Sequence, residues 1–453
     1  MGTGCQSAKM PRGAWNAHLF QVFNSVSFSL VVGAPMVLLF KHLGASASIL
    51  GLLLALTPLL NILQIPAAQF VERVGYRAFV LKGWATRSFF IVGIAAAAWL
   101  PETWLEPAGR MGIVLLLLTA FNAARGISAC GFLPWMTQWI PETVRGRFLA
   151  RDQIAAALAS AVTMLLTASY MGQTAPGHRF AVLFLASYAA ALVSLLFLRR
   201  IPDVPLPVAA TPRGRVPWKE MLLYPPFLKF MIYNIVMYAG IAGAGVLWVP
   251  LLRDVFNVSD GWILGMAAGT GGASVLTLLL FGRLADRVGS RPLLGVAGLG
   301  LLVHFLSWAA VGARWLAMDR AVAAWLSVTA GLGFGLFNLA NMRLVMVTVP
   351  VMGRSHFFAL FSVIINLTLG LLPVGWGWWV DHLAGWQVSW GGWEWNRYSV
   401  LYGGIFGLVA LAQVLRQRLV EARAQTTDEF LYELMVKTPV RGLSRLILRR
   451  PMP

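Results

Sequence analysis

Apolar residues run through this chain in blocks of about 20, separated by short polar and basic stretches. That length carries a helix across a hydrocarbon core of about 30 Å. A soluble protein with so many bare apolar faces would precipitate, whereas lipid stabilises them because a helix satisfies its own backbone groups. Twelve spans are predicted, at roughly 17–40, 46–68, 79–99, 111–138, 147–171, 179–199, 227–251, 260–282, 292–313, 321–348, 355–379 and 397–417. Arg200 to Pro226 breaks the series with seven prolines and the bases Arg213, Arg215 and Lys219, a solvated linker by composition. The pattern predicts an all-α polytopic membrane protein: a six-helix bundle over 1–199, a linker over 200–226, a second six-helix bundle over 227–420 and a tail over 421–453.

Composition agrees: 58% of the residues are hydrophobic and 12% charged, against about 45–50% and about 25% in ordinary soluble domains. The net charge of +19 does not point to nucleic acid, because the bases cluster between apolar blocks and no nucleic-acid motif accompanies them. With the N-terminus placed inside, the inner segments collect Arg73, Arg77, Lys82, Arg145, Arg147, Arg151, Arg199, Arg200, Arg283, Arg287, Arg291 and Arg354, and the outer ones few bases. This bias predicts cytoplasmic termini and the inner (cell) membrane. Cys5 and Cys130 suggest no disulfide framework and no metal spacing. The first residues lack the apolar core of a signal peptide, and Gln6 stands where a myristoylation motif needs Ser or Thr. In the tail, Arg441, Arg445 and Arg449 recur every four residues among leucines. Two readings are open there: a basic amphipathic helix on the anionic inner leaflet, or a frayed end.

The two halves echo each other. Gly282-Arg283-Leu284-Ala285-Asp286-Arg287-Val288-Gly289-Ser290-Arg291 follows the eighth span, and Ala68-Gln69-Phe70-Val71-Glu72-Arg73-Val74-Gly75-Tyr76-Arg77 follows the second. A weaker echo pairs Gly146-Arg147 with Gly353-Arg354. Parallel six-span repeats are one known way to build a transporter. The loop at 282–291 resembles the signature loop of the major facilitator superfamily, and the resemblance covers about residues 15–420. The copy at 68–77 lacks its first Gly and carries Glu72 for Asp, so the better copy is in the second half. The resemblance implies alternating access and a cytoplasmic latch in which Asp286 approaches Arg147 and Glu72 approaches Arg354, with Arg73, Arg287, Gly282 and Gly289 shaping the loops. The residues alone also allow these loops to be topology signals only.

Charges inside spans are expensive, about 2.5–3.5 kcal/mol each at a helix centre, and are functional candidates by default. Arg125 is near the middle of the fourth span and Arg343 nearer the inner end of the tenth. Arg87, in the first turns of the third, is placed to snorkel. The family resemblance implies that the first, fourth, seventh and tenth spans line the cavity. These contain Asn24, Asn122, Asn234, Tyr238, Asn338 and Asn341, which suit either a hydroxylated solute or contacts between helices. No Asp or Glu is at mid-membrane, which weighs against proton coupling without excluding it. His304 reads as a buried, hydrogen-bonded ring. The Trp-rich stretch from Trp376 to Tyr398 reads as an interfacial belt or as an outer lid that stacks on sugars.

The chain is therefore expected to be a monomeric secondary active or facilitative transporter of a small polar or anionic organic solute such as a sugar or an organic acid, with any coupling ion unknown and no cofactor. Within the same class stands an exporter of amphipathic compounds, and outside it a transport-inactive sensor or scaffold. An enzyme is not indicated: there is no nucleophile–base pair, and Gly269 to Gly272 lacks the Lys of a phosphate loop.

Overall fold

The computed structural model describes residues 10–11, 13–101, 103–172, 176–205, 218–349, 354–419 and 421. The side chains of residues 72, 133, 137, 142–143, 145–147, 149–150, 282–287 and 354–356 are outside that description.

Helices dominate, and the described residues include twelve segments long and apolar enough to cross a membrane. Two early spans are broken. The first comprises α1 (Ala14–Val32) and α2 (Ala34–His42), the second α3 (Ala47–Asn61) and α4 (Gln64–Val74). The first break falls at Gly33, whose backbone is extended and is followed by Pro35 in the opening turn of α2, where a missing N–H costs nothing. Then come α5 (Tyr76–Trp99), α6 (Pro107–Trp139), α7 (Glu142–Met171) and α8 (Gly177–Leu198). After a short α9 (Trp218–Leu223) come α10 (Pro225–Pro250), closed by a π-helical turn at Leu251–Val255, and α11 (Asp260–Val288). The chain continues with α12 (Ser290–Gly312), α13 (Arg320–Thr348) and α14 (Arg354–His382). The last elements among the described residues are a hairpin of β1 (Gln387–Trp390) and β2 (Trp393–Asn396) and α15 (Arg397–Arg416).

Two compact units result, Met1–Pro212 with Val258–Ala268, and Arg213–Asn257 with Gly269–Pro453. In the first, α1 packs on α7 and α8, and α5 on α6 and α8. In the second, α10 packs on α14 and α15, and α12 on α13 and α15. The sharp turns before α5 and α12 use Gly75 (φ 86°) and Gly289 (φ 95°), in the left-handed region that glycine enters without penalty. The signature sequence thus makes the same turn in both units.

Gly126 on α6 is a close-approach glycine, because a Cβ there would collide with the Leu60 carbonyl of α3, while Gly112 on the same helix faces open space. Gly126→Ala is expected to cost about 1–3 kcal/mol through overpacking and Gly112→Ala almost nothing. Thermal unfolding of the two purified variants checks this; equal melting temperatures would contradict it.

The Trp-rich stretch is not a single irregular loop. Trp376, Trp378 and Trp379 belong to α14, and Trp376 donates to the Ala239 carbonyl of α10 (2.9 Å). Trp390 and Trp393 pair across the β1–β2 hairpin, whose turn is Gly391-Gly392 with φ 61° and 76°, as a tight two-residue hairpin turn requires. Asn396 ends the hairpin and caps α15 through Tyr398 and Ser399 N–H groups.

Candidate functional site

In the first unit, residues of α1, α5, α6 and α7 enclose a cavity of about 450 Å³. Arg87 and Arg125 line it, with Gln21, Asn24, Ser29 and Gln153 as polar neighbours and Phe20, Phe28, Trp84 and Phe132 as aromatic walls. No Asp or Glu lines it among the described residues.

Local structure explains how two like charges are held there. Arg87 is 3% exposed and donates to Asn24 Oδ1, which also accepts from Trp84 Nε1 (3.3 Å). Its guanidinium lies 4.5 Å from the Trp84 ring centroid and 5.7 Å from that of Phe121. Arg125 lies 4.8 Å from the Phe28 ring. Such stacking is worth about 0.5–2 kcal/mol, more when desolvated, and leaves the edges of the fork available. Arg125 Nη1 and Arg87 Nε are buried without a hydrogen-bond partner, and a buried donor without a partner costs about 1–3 kcal/mol, more when charged. Arg87 therefore does not snorkel. Its helix turn faces α1, and the partner is Asn24, which position along the chain does not reveal.

The remaining candidates divide. Asn122 is buried and bonds Thr57 (2.9 Å) and the Leu118 carbonyl (3.0 Å), so it ties α6 to α3 instead of lining the cavity. Asn234 and Asn341 are closed to solvent and bond each other (2.7 Å), with the Tyr238 hydroxyl 3.5 Å from the Asn341 amide. This group joins α10 to α13, the contact between helices that the sequence also allows for these three residues. Asn341 Oδ1 remains without a partner. Asn338 is exposed. Arg343 is engaged 3.7 Å from Glu421, at the end of the second unit that carries the basic loop, and not in a mid-span cavity. His304 accepts or donates to Thr329 Oγ1 (2.9 Å), a satisfied buried ring as expected.

For the latch residues, Glu72, Arg147, Gly282, Asp286, Arg287 and Arg354 have side chains outside the described residues. Arg73 is exposed and lies 5.9 Å from the Phe70 ring. The described part of each loop is tied within its own unit. Arg77 donates to the Arg199 carbonyl, and Arg291 to the Gln417 carbonyl (3.1 Å). Apart from Glu421, the tail is outside the described residues.

Residues 18–373 match the family model of the Major Facilitator Superfamily. The chain belongs to the Major Facilitator Superfamily. Its fold is similar to that of the nucleoside transporter NupG (a variant), at 11% identity and TM-score 0.67 over 90% of this chain and 99% of that one. A D-xylose-proton symporter gives 15% identity and TM-score 0.67 over 91% and 98%. An inward-facing bacterial homologue of the human lysosomal transporter Spinster gives 15% identity and TM-score 0.61 over 97% and 98%. A comparison with curated protein sequences gives no match. This superfamily member is a multi-pass membrane protein of a transporter family, and its relatives in fold move small solutes.

Proposed function

We propose that this protein carries a small organic anion across the membrane by alternating access, with Arg125 as the anchor for the anion. The observation that supports this is the buried, unpartnered Arg125 Nη1 in a cavity that has two arginines and, among the described residues, no acid. A planar fork with free donors suits a carboxylate or a phosphate, which it can grip through two parallel hydrogen bonds. Arg87, fixed by Asn24 and Trp84, adds positive potential. Gln21, Gln153 and Ser29 offer orientation to the uncharged remainder of the solute, and Asn338 is kept as a candidate contact.

The same reading places both termini in the cytoplasm and the protein in the inner membrane, from the repeated bias of bases. It takes residues 1–199 and 227–420 as the two moving bundles of a monomer. Asp286 with Arg147, and Glu72 with Arg354, remain the proposed inner latch. An exporter of amphipathic compounds would rest on the aromatic walls, and a scaffold would need no unpartnered donor; the arginine pair favours the anion.

A thermal-shift panel tests it. The purified protein is heated with benzoate, D-glucuronate or phenyl phosphate, and separately with the neutral D-xylose and uridine. Stabilisation by anions and not by the neutral solutes is expected. Stabilisation by neutral solutes alone would reject an anion.

A further inference from the structure

One buried ionisable pair of the first unit is unused by the anion site. His18 of α1 and Asp152 of α7 meet at 3.2 Å between Nδ1 and Oδ1, with side chains 13% and 14% exposed. Among the described residues Asp152 is the sole acid within the six apolar spans between Ala14 and Leu198, while the buried Asp260 opens a later span. His18 stacks on Phe148 at 4.6 Å, and Phe148 is backed by Trp139 of α6. The pair adjoins the cavity. His18 is three residues before Gln21 on α1, and Asp152 is four before Ala156 on α7, both of them lining residues. Residues three and four apart share a helix face, so the pair is one turn from the cavity, toward the helix ends that bear the basic loops.

We propose that His18 and Asp152 are a proton-binding site that couples transport to a proton gradient. With a neutral imidazole the pair carries one negative charge. One added proton gives imidazolium and carboxylate, with no net charge. Burial makes that difference matter, because an uncompensated charge away from water is costly and a paired one much less so. The protonation state therefore biases any rearrangement of α1 against α7 that changes the pair's access to water. Other charges on the surrounding elements do not substitute for it. Arg151 on α7, Arg199 and Arg200 just after α8 and Lys82 on α5 are exposed. Arg77 on α5 is bound to the Arg199 carbonyl, Arg87 faces the cavity, and Lys41 and His42 are at the far end of α2. The side chains of Glu142, Arg145 and Arg147 on α7 are outside the described residues. A proton would also offset the charge of an anionic cargo, since moving one charge across the membrane is worth about 2.3 kcal/mol per 100 mV.

The proposal rests on alternating access but not on the anion, and two experiments keep them apart. The first uses no solute. Ala157→Cys, which lies in the cavity wall, is made with Cys5→Ser and Cys130→Ser in the full chain, reconstituted, and labelled with an impermeant maleimide. After normalisation to a free thiol, its labelling rate should change by about tenfold across a pH series in which the pair gains its proton. His18→Gln and Asp152→Asn should each flatten that profile, with a melting temperature lowered by loss of the buried pair but still well above the labelling temperature. A flat parent profile, or a pH response that survives both changes, overturns the site. The second loads vesicles with a pH dye and adds D-glucuronate, phenyl phosphate or D-xylose outside. Acidification lost in Asp152→Asn, with thermal stabilisation by the same probe retained, is expected. Acidification with D-xylose alone would keep the proton site and reject the anion; acidification undiminished in Asp152→Asn would reject the proton site.

Discussion

Arg125→Ala is expected to weaken binding of a stabilising anion by about 2–5 kcal/mol, the usual cost of truncating one side of a buried charged hydrogen bond. That is about 30-fold at the least. The helix should survive, because Arg125 contributes ring stacking on Phe28 and no described hydrogen bond from Nη1. Arg125→Lys should fall between, keeping the charge but losing the planar fork. Arg87→Ala should lose affinity as well, and should also release Asn24, whose oxygen accepts from both Arg87 and Trp84. Equilibrium binding of a labelled anion to purified variants measures all three. Wild-type affinity in Arg125→Ala would remove it from the site.

The second large effect concerns stability. Glu421 is 3% exposed on its side chain and lies 3.7 Å from Arg343. Its carboxylate also accepts from Ser290 N (2.9 and 3.0 Å) and Arg291 N (2.9 Å). These are the first N–H groups of α12, which have no partner inside the helix, and a carboxylate there also meets the positive end of the helix dipole. Arg291 in turn donates to the Gln417 carbonyl, and Arg416 to the Arg291 carbonyl (3.2 Å). Glu421→Ala is therefore expected to destabilise the second unit by about 3–5 kcal/mol, the range for breaking a buried pair. Glu421→Gln should lose less, because it keeps the acceptor oxygen. Differential scanning of the purified variants checks it, and an unchanged transition in Glu421→Ala would show that the carboxylate is dispensable.

The spans were legible in the sequence because hydrocarbon imposes a length and a composition on any helix that crosses it. The breaks at Gly33 and Ile62 were not, because each falls inside an apolar block long enough to cross in one piece, where Pro35 after the first and Asn61 and Gln64 around the second pass as tolerated interruptions. The hairpin carried a readable signal, Gly391-Gly392 between Gln387–Trp390 and Trp393–Asn396, but the density of tryptophan suggested a belt instead. Arg125 stood out because mid-span charge is expensive. Arg87 was hidden by its position near a span end, and its partner Asn24 is 63 residues away. The asparagines were ambiguous for a physical reason: an amide bonds a solute and a neighbouring helix with the same atoms, so only packing distinguishes Asn24, in the cavity wall, from Asn122, Asn234 and Asn341, between helices.

Uptake into proteoliposomes tests the central claim most directly. A radiolabelled anion that stabilises the purified protein is offered to vesicles containing wild type or Arg125→Ala. Saturable uptake by wild type, competed by unlabelled anion but not by D-xylose, and lost in Arg125→Ala, is the predicted result. Uptake of D-xylose or uridine with no anion uptake, or anion uptake undiminished in Arg125→Ala, would contradict it.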